Sequence, residues 1–244
     1  MSSLQTTFDG KSFVDVAIER IQKYEPADGY EVGFSGGKDS VVVLDLVRRA
    51  GVQYEAQYKS TTVDPPEVVV FIRHHYPDVT WVKPRASMYQ LIRKHKMLPT
   101  RMVRFCCSEL KEFGGKGKTI ITGIRSAESR NRKKREYYEQ SRHVKSKWFL
   151  HPIFEWSDQD VWDYISDQRL PYCSLYDEGK TRIGCIMCPM QGEAGMRIDA
   201  ARYPKHFAAY LRAIQAVING GHVFKQGDTA EEVMEWWMSG KKKP

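Results

Sequence analysis

Phe34-Ser35-Gly36-Gly37-Lys38-Asp39-Ser40 stands between a short β-like run, Tyr30 to Phe34, and an apolar helical run from Val41 to Val47. Strand, tight glycine turn and helix start, in that order, predict a cradle for a phosphate. Two adjacent glycines let the backbone approach an anion closely, the first N–H groups of a helix lack internal partners, and the helix dipole adds partial positive charge. Lys38 adds a full charge, Ser35 and Ser40 offer hydroxyls, and Asp39 is placed to cap the helix or to assist a magnesium ion. The spacing matches neither the Walker G-x-x-x-x-G-K-[ST] pattern nor the dinucleotide G-x-G-x-x-G.

Outward from this loop, strands alternate with helices. Helical spacing over residues 12–23 is followed by the first strand, the loop and its helix, which Gly51 stops. Further strands are predicted at 52–58, 79–82 and 119–123, with helices at 68–75 and 88–96 between them. Alternation of this kind predicts an α/β fold with a doubly wound, mostly parallel sheet and ligands at the carboxyl ends of the strands. Loops 35–40, 59–65 and 124–135 all fall on that edge. Beyond residue 150 the sheet signal fades after a last strand at 148–150. A helix at 158–167 with Ser157 as its N-cap and two more helices, over 199–218 and 229–238, complete the reading. The expected organisation is a domain over residues 1–190 and a C-terminal helical extension over 191–244 packed on it. Trp236 and Trp237 lie in an amphipathic run and read as packing residues.

A chain of 244 residues with a net charge of +8 suits one sizeable core and a polyanionic partner, nucleic acid above all. The excess charge sits mainly in clusters at Arg125 to Arg135 and Lys241 to Lys243. No secretory pattern opens the chain and no apolar run approaches the ~20 residues of a membrane span, so a soluble cytoplasmic protein without membrane contact is expected. Five cysteines in that setting argue against a disulfide framework. Cys106 and Cys107 are adjacent, Cys185 and Cys188 form C-x-x-C, and these four complete a tetrathiolate site. An adjacent pair reaches a single zinc ion only by splaying, so a [4Fe–4S] cluster is favoured over zinc, and Pro189 after Cys188 echoes a ferredoxin ending. Cys173, alone in its loop, reads as structural. Arg125, Arg130 and Arg132, following a predicted strand and Gly123, are expected to clamp phosphate or sulfate oxygens of a second substrate. His74 and His75 at a helix end need no metal or catalytic role, and no Ser–His–Asp arrangement is visible.

The string Ser35 to Ser40 resembles the S-G-G-x-D-S signature of PP-loop ATP pyrophosphatases. With Thr61-Thr62-Val63-Asp64-Pro65-Pro66-Glu67, Arg104-Phe105-Cys106-Cys107-Ser108-Glu109, Gly123-Ile124-Arg125, His151-Pro152-Ile153, Trp156-Ser157, Asp160-Val161-Trp162 and Ile183-Gly184-Cys185-Ile186-Met187-Cys188, the chain resembles the phosphoadenylyl-sulfate and adenylyl-sulfate reductase family over about residues 30 to 190. The resemblance implies an adenine-nucleotide α-hydrolase-like fold. It also implies a [4Fe–4S] cluster on Cys106, Cys107, Cys185 and Cys188, as in the cluster-bearing branch. Sulfate-reducing members carry a further nucleophilic cysteine, and here none follows Cys188 before Pro244. The preferred expectation follows similar proteins of DNA phosphorothioation: ATP and Mg²⁺ activate a nucleic-acid oxygen, DNA rather than tRNA, for sulfur insertion, with a cysteine desulfurase as sulfur donor. In that scheme Lys38, Asp39 and Arg125 are catalytic. Ser35, Gly36, Gly37, Ser40, Thr62, Asp64 and Gly123 join Lys38 and Asp39 around the nucleotide, and Arg125, Arg130 and Arg132 hold the second substrate. An adenylyl-sulfate reductase making sulfite and a non-catalytic nucleotide-binding subunit are the alternatives.

Overall fold

The structure is a computed structural model that describes residues 10–240, so the basic tail Lys241 to Lys243 lies outside the described residues. In chain order the elements are α1 (Phe13–Lys23), β1 (Tyr30–Gly33), α2 (Lys38–Ala50), β2 (Tyr54–Lys59), α3 (Pro66–His75), β3 (Thr80–Val82), α4 (Met88–His95) and α5 (Phe105–Leu110). They continue with β4 (Thr119–Ile121), β5 (Tyr138–Gln140), β6 (Trp148–Leu150), α6 (Asp158–Asp167), α7 (Gly192–Arg202), α8 (Pro204–Asn219) and α9 (Ala230–Ser239). They form two compact units, Met1–Lys59 with Glu67–Val82 and Gly114–Ile183, and Ser60–Pro66 with Lys83–Phe113 and Gly184–Pro244. The second unit gathers the turn after β2, the segment that carries α4 and α5, and the chain from Gly184 onward, so Cys106, Cys107, Cys185 and Cys188 all fall in it rather than with the phosphate loop.

The first unit holds a six-stranded sheet in the order β3-β2-β1-β4-β6-β5, and only the β5–β6 pair is antiparallel. This is the mostly parallel, doubly wound α/β architecture expected. The chain moves from β1 out to β2 and β3, then returns to place β4 on the other side of β1. The crevice between β1 and β4 is therefore the topological switch point where such sheets bind ligands. α2, which leaves β1 at that point, buries Val41, Val42, Val43, Leu44, Leu46 and Val47. Three successive valines are weak helix formers, by some tenths of a kcal/mol each. Burial is worth about 1.5–3 kcal/mol per such side chain, so packing decides the conformation. The core of this unit continues through Ile21, Val32, Ile72, Ile121, Leu150, Trp156 and Tyr164.

The second unit has a helical core of Leu91, Ile92, Leu110, Met196, Tyr210, Ile214, Val233 and Trp237. The Trp237 indole N–H donates to Pro99 O at 2.6 Å, which fits the packing role expected for it. The single helix expected over 199–218 is two, α7 and α8, because Pro204 cannot continue the helix that Tyr203 ends. Two short elements lie where sequence periodicity gave no element: β5 at the sheet edge and α5 around the first cysteine pair. No helix among the described residues is long and apolar enough to cross a membrane.

Candidate functional site

The first site is built at the carboxyl ends of three adjacent parallel strands, β1, β4 and β6. After β1, Gly36 takes φ +73°, and a Cβ there would lie 3.0 Å from the Ile72 and Val68 side chains, so both conformation and space demand glycine. Gly37 is the N-cap of α2 and caps it with no side chain. The loop closes on itself through Ser40, whose Oγ accepts from Ser35 N at 3.2 Å and donates to Gly37 O at 2.7 Å. Lys38 N donates instead to the phenol of Tyr176 at 2.9 Å. One unbonded amide at the start of α2 is thereby met by a residue 138 positions away.

After β4, Gly123 passes against α2. A Cβ on it would lie 2.9 Å from the backbone of Asp39, so the close approach of the two loops depends on that glycine. Arg125 follows, only 3% exposed. Its Nε donates to Asp39 Oδ1 at 2.5 Å, its Nη1 to Trp156 O at 3.2 Å and its Nη2 to Asp158 Oδ1 at 2.8 Å. After β6, Ser157 caps α6 in a capping box with Asp160, which puts Asp158 in the first turn. Lys38 Nζ reaches the same Asp158 Oδ1 at 2.7 Å and Asp39 Oδ2 at 3.3 Å.

Two buried cations thus converge on one carboxylate oxygen. Burial pushes the Asp158 carboxyl up, but the hydrogen bonds and charges of Lys38 and then Arg125 outweigh it and hold the group below the usual carboxylate range. Arg132 stands in the next layer, ion-paired with Glu128, whose Oε2 also accepts from Arg125 N at 3.0 Å. Burial, then the neighbouring Arg182, lower the Arg132 guanidinium to about 10. Behind the edge, His151 is fully buried and donates to or accepts from Thr122 Oγ1 at 2.8 Å, while its Nε2 has no hydrogen-bond partner. Burial, then the Arg135 charge, lower its pKa to about 4.

The structure therefore brings together Ser35, Gly36, Gly37, Lys38, Asp39, Ser40, Gly123 and Arg125, with Arg132 one layer out. Arg130 is exposed and makes no ion pair among the described residues. Sequence reading did not single out Asp158 or Tyr176. The cap signal Ser157-x-x-Asp160 on the same sheet edge carried enough information to find Asp158; nothing local marks Tyr176.

The second site lies within the second unit. The adjacent Cys106 and Cys107 push each other's thiols in opposite directions: Cys107, then burial and the neighbouring Cys185 and Cys188, raise Cys106, while Cys106, then the Arg104 and Lys111 charges, lower Cys107. Arg104 Nη2 donates to Cys107 Sγ at 3.4 Å, and the charge of Lys111 also lowers Cys107. The C-x-x-C turn is held by buried Asp199, which accepts from Met187 N at 2.9 Å and Gln191 Nε2 at 2.6 Å. Thr61, Thr62 and Asp64 belong to this unit. Thr61 Oγ1 lies 3.5 Å from Cys185 Sγ and 2.7 Å from Asp64 Oδ1, and Thr62 Oγ1 accepts from Met88 N at 2.9 Å. Among the described residues no group of three or more His, Cys, Asp or Glu side chains is gathered as for a single metal ion. Cys173 is fully buried in the core of the first unit.

Comparison with known proteins gives a match to the phosphoadenosine phosphosulfate reductase domain over residues 30–191. Two uncharacterized proteins of Methanocaldococcus jannaschii are 31% and 29% identical over 207 and 191 residues, 79% and 75% of this chain. The chain spans 42% and 46% of their lengths, less than half of each. An adenosine 5'-phosphosulfate reductase of Bacillus anthracis is 27% identical over 197 residues, 76% of this chain and 86% of that protein. Among solved structures, the phosphoadenylyl-sulfate reductase of Candida auris in a phosphate complex aligns with a TM-score of 0.53 at 16% identity, covering 75% of this chain and 97% of its own. The FMN adenylyltransferase of Candida glabrata, with FAD and inorganic pyrophosphate, aligns at 0.53 and 12% identity over 72% of this chain and 62% of its own.

Proposed function

The chain belongs to the phosphoadenosine phosphosulfate reductase domain family, and from that premise we propose that it is a cytoplasmic PP-loop ATP pyrophosphatase that activates a nucleic-acid phosphate for sulfur insertion. The observation that carries this reading is the convergence of Lys38, at the start of α2, and Arg125 on a single oxygen of Asp158, at the start of α6. Two buried cations beside a helix N-terminus make a seat for a polyphosphate. Two carboxylates, Asp39 and Asp158, stand at the same seat and suit the magnesium that accompanies the polyphosphate of ATP, whereas adenylyl sulfate, with one phosphate and one sulfate, has no pyrophosphate to release. That pairing is what favours ATP over adenylyl sulfate. Magnesium, when bound, would neutralise charge developing on the leaving pyrophosphate.

In the reaction proposed, an oxygen of a DNA backbone phosphate attacks the α-phosphorus of ATP. The bond between the α-phosphorus and the bridging oxygen breaks, and pyrophosphate leaves into the cradle of Gly36, Gly37 and Lys38. Arg125, supported from Trp156 O and Asp39, stabilises charge on the transferring group, while Arg132 and Arg130 face the second substrate. The outer sulfur of a donor persulfide, such as that of a cysteine desulfurase, then attacks the activated DNA phosphorus, AMP leaves with the activated oxygen, and a thiol reductant cleaves the resulting S–S bond to free the phosphorothioate. Thr62 and Asp64 are assigned to the adenosine on the strength of the resemblance alone.

Cys106, Cys107, Cys185 and Cys188 are the proposed ligands of a [4Fe–4S] cluster. The donor set fits: four thiols of one unit, with Arg104 and Lys111 against them to offset thiolate charge. The cluster, when bound, would supply one-electron chemistry or bracing of the fold.

Pyrophosphate release by anaerobically purified protein, screened against duplex DNA, tRNA and adenylyl sulfate, tests the function. DNA-dependent release supports it. The adenosine 5'-phosphosulfate reductase relatives make the rival reading specific: sulfite from adenylyl sulfate with a thiol reductant, and no ATP cleavage, would replace the proposal with that activity.

A further inference from the structure

The β5–β6 hairpin concentrates the chain's charge. Residues 129–147 hold eight lysines and arginines against two glutamates, a net +6 out of the chain's +8. Arg132 and Arg135 are ion-paired with Glu128 and Glu139, and Lys147 is buried. Arg130, Lys133, Lys134, Arg142 and Lys145 are exposed and make no ion pair among the described residues.

These five cations fall in two groups. Arg130, Lys133 and Lys134 precede β5, on the edge of the sheet where the phosphate cradle lies; Arg142 and Lys145 are in the turn at the other end of β5. Seven residues, 135–141, separate the two groups along the chain, and β5 is the strand among them, so the cations lie beyond both of its ends. β5 is also the outermost strand, so its outer backbone groups are open to a ligand.

Charges on an edge strand often serve only to prevent sheets from pairing. Here they flank β5, whose own residues are Tyr138, Glu139 and Gln140, so that explanation does not account for their placement. The aromatic rings of the hairpin are occupied: Tyr138 stacks on Tyr24 at 4.1 Å and on Trp148 at 4.9 Å. Single strands are held by free aromatic platforms, and this surface offers cations in their place.

We propose that the β5–β6 hairpin is a docking surface for the phosphate backbone of duplex DNA, bound without sequence preference and delivering a backbone phosphate to the adjacent edge. This deepens, and rests on, the reading of DNA as second substrate. Binding of the full chain, basic tail retained throughout, to an arbitrary fluorescent DNA duplex tests it by anisotropy. Five phosphate contacts at a salt slope of about −0.9 each predict roughly a 500-fold loss of affinity between 50 and 200 mM salt.

K133Q/K134Q and R142Q/K145Q should each lower that slope by about 2, and the five-site glutamine variant should remove the hairpin's whole contribution. Its melting temperature and ATP affinity should stay unchanged, since all five side chains are exposed. An unaltered slope in the five-site variant, or binding confined to single strands or folded tRNA, would overturn the assignment. If ATP is never cleaved but the variants still lose duplex binding, the activity reading fails and the surface stands. DNA-stimulated pyrophosphate release that survives in the five-site variant sinks the surface alone.

Discussion

The phosphate edge of the first unit and the thiol site of the second are built by opposite means. At the phosphate edge the chemistry comes from loops at the ends of adjacent strands, and each charge is already matched: Lys38 and Arg125 by Asp158 and Asp39. The thiols come from a short helix and a turn, steadied by Asp199, Arg104 and Lys111. The charged groups at the sheet edge are thus paired by the fold itself, whereas four thiols beside two cations are left for whatever the proposed site binds.

The sharpest way to break this contrast is to remove a thiol. C106S or C185S should take anaerobic protein from about four irons per chain to none, with loss of absorption near 400 nm, while ATP affinity at the first unit is retained. Stoichiometric zinc in colourless anaerobic protein would end the cluster proposal. Next in size is Lys38→Ala, which leaves Asp158 facing Arg125 alone and should cost about 10²–10³ in kcat for pyrophosphate release. An unchanged rate would remove Lys38 from the chemistry.

His151 gives a pH test of the scaffold behind the edge. Its folded pKa, about 4, lies below the ordinary 6.5. Between those values the unfolded chain takes up a proton that the folded chain refuses. Stability is therefore full above pH 6.5, declines as pH falls through the window and levels off below 4, for a total of about 3 kcal/mol. Thermal melts of H151Q should show a shallower decline than wild type over pH 6.5 to 4, and parallel curves would refute the assignment. Smaller still, Gly123→Ala forces a Cβ against the Asp39 backbone 2.9 Å away. Overpacking of this kind costs about 1–3 kcal/mol, or a melting temperature lower by several degrees; no shift would show that the loops have room to part.

The phosphate edge was legible because its residues are contiguous and their spacing carries the reason for them: glycines where φ is positive or space is short, a lysine and an aspartate in the first turn. Arg125 was legible because it follows a strand and a glycine. Asp158 and Tyr176 lie 120 and 138 residues from Lys38, and sequence periodicity is silent on such pairings. The same blindness hid the makeup of the second unit, which collects Ser60–Pro66, Lys83–Phe113 and Gly184–Pro244 from three parts of the chain. β5 was missed because three residues, one of them charged, are too few to show alternation; its pairing with β6 decides it. The break between α7 and α8 was written in Pro204 and overridden by a helical pattern that ran through it.

On the proposed reading Lys38, with Gly36 and Gly37, seats the pyrophosphate of ATP while Arg125 faces the transferring group. Products formed from ATP, Mg²⁺ and duplex DNA by anaerobic wild-type protein and by Lys38→Ala test it most directly. Wild type should release pyrophosphate and leave an equal amount of AMP joined to the DNA, freed as AMP once a sulfur donor is added, with both products dependent on DNA and all but absent from the variant. ADP and inorganic phosphate, or AMP formed equally well by Lys38→Ala, would contradict it.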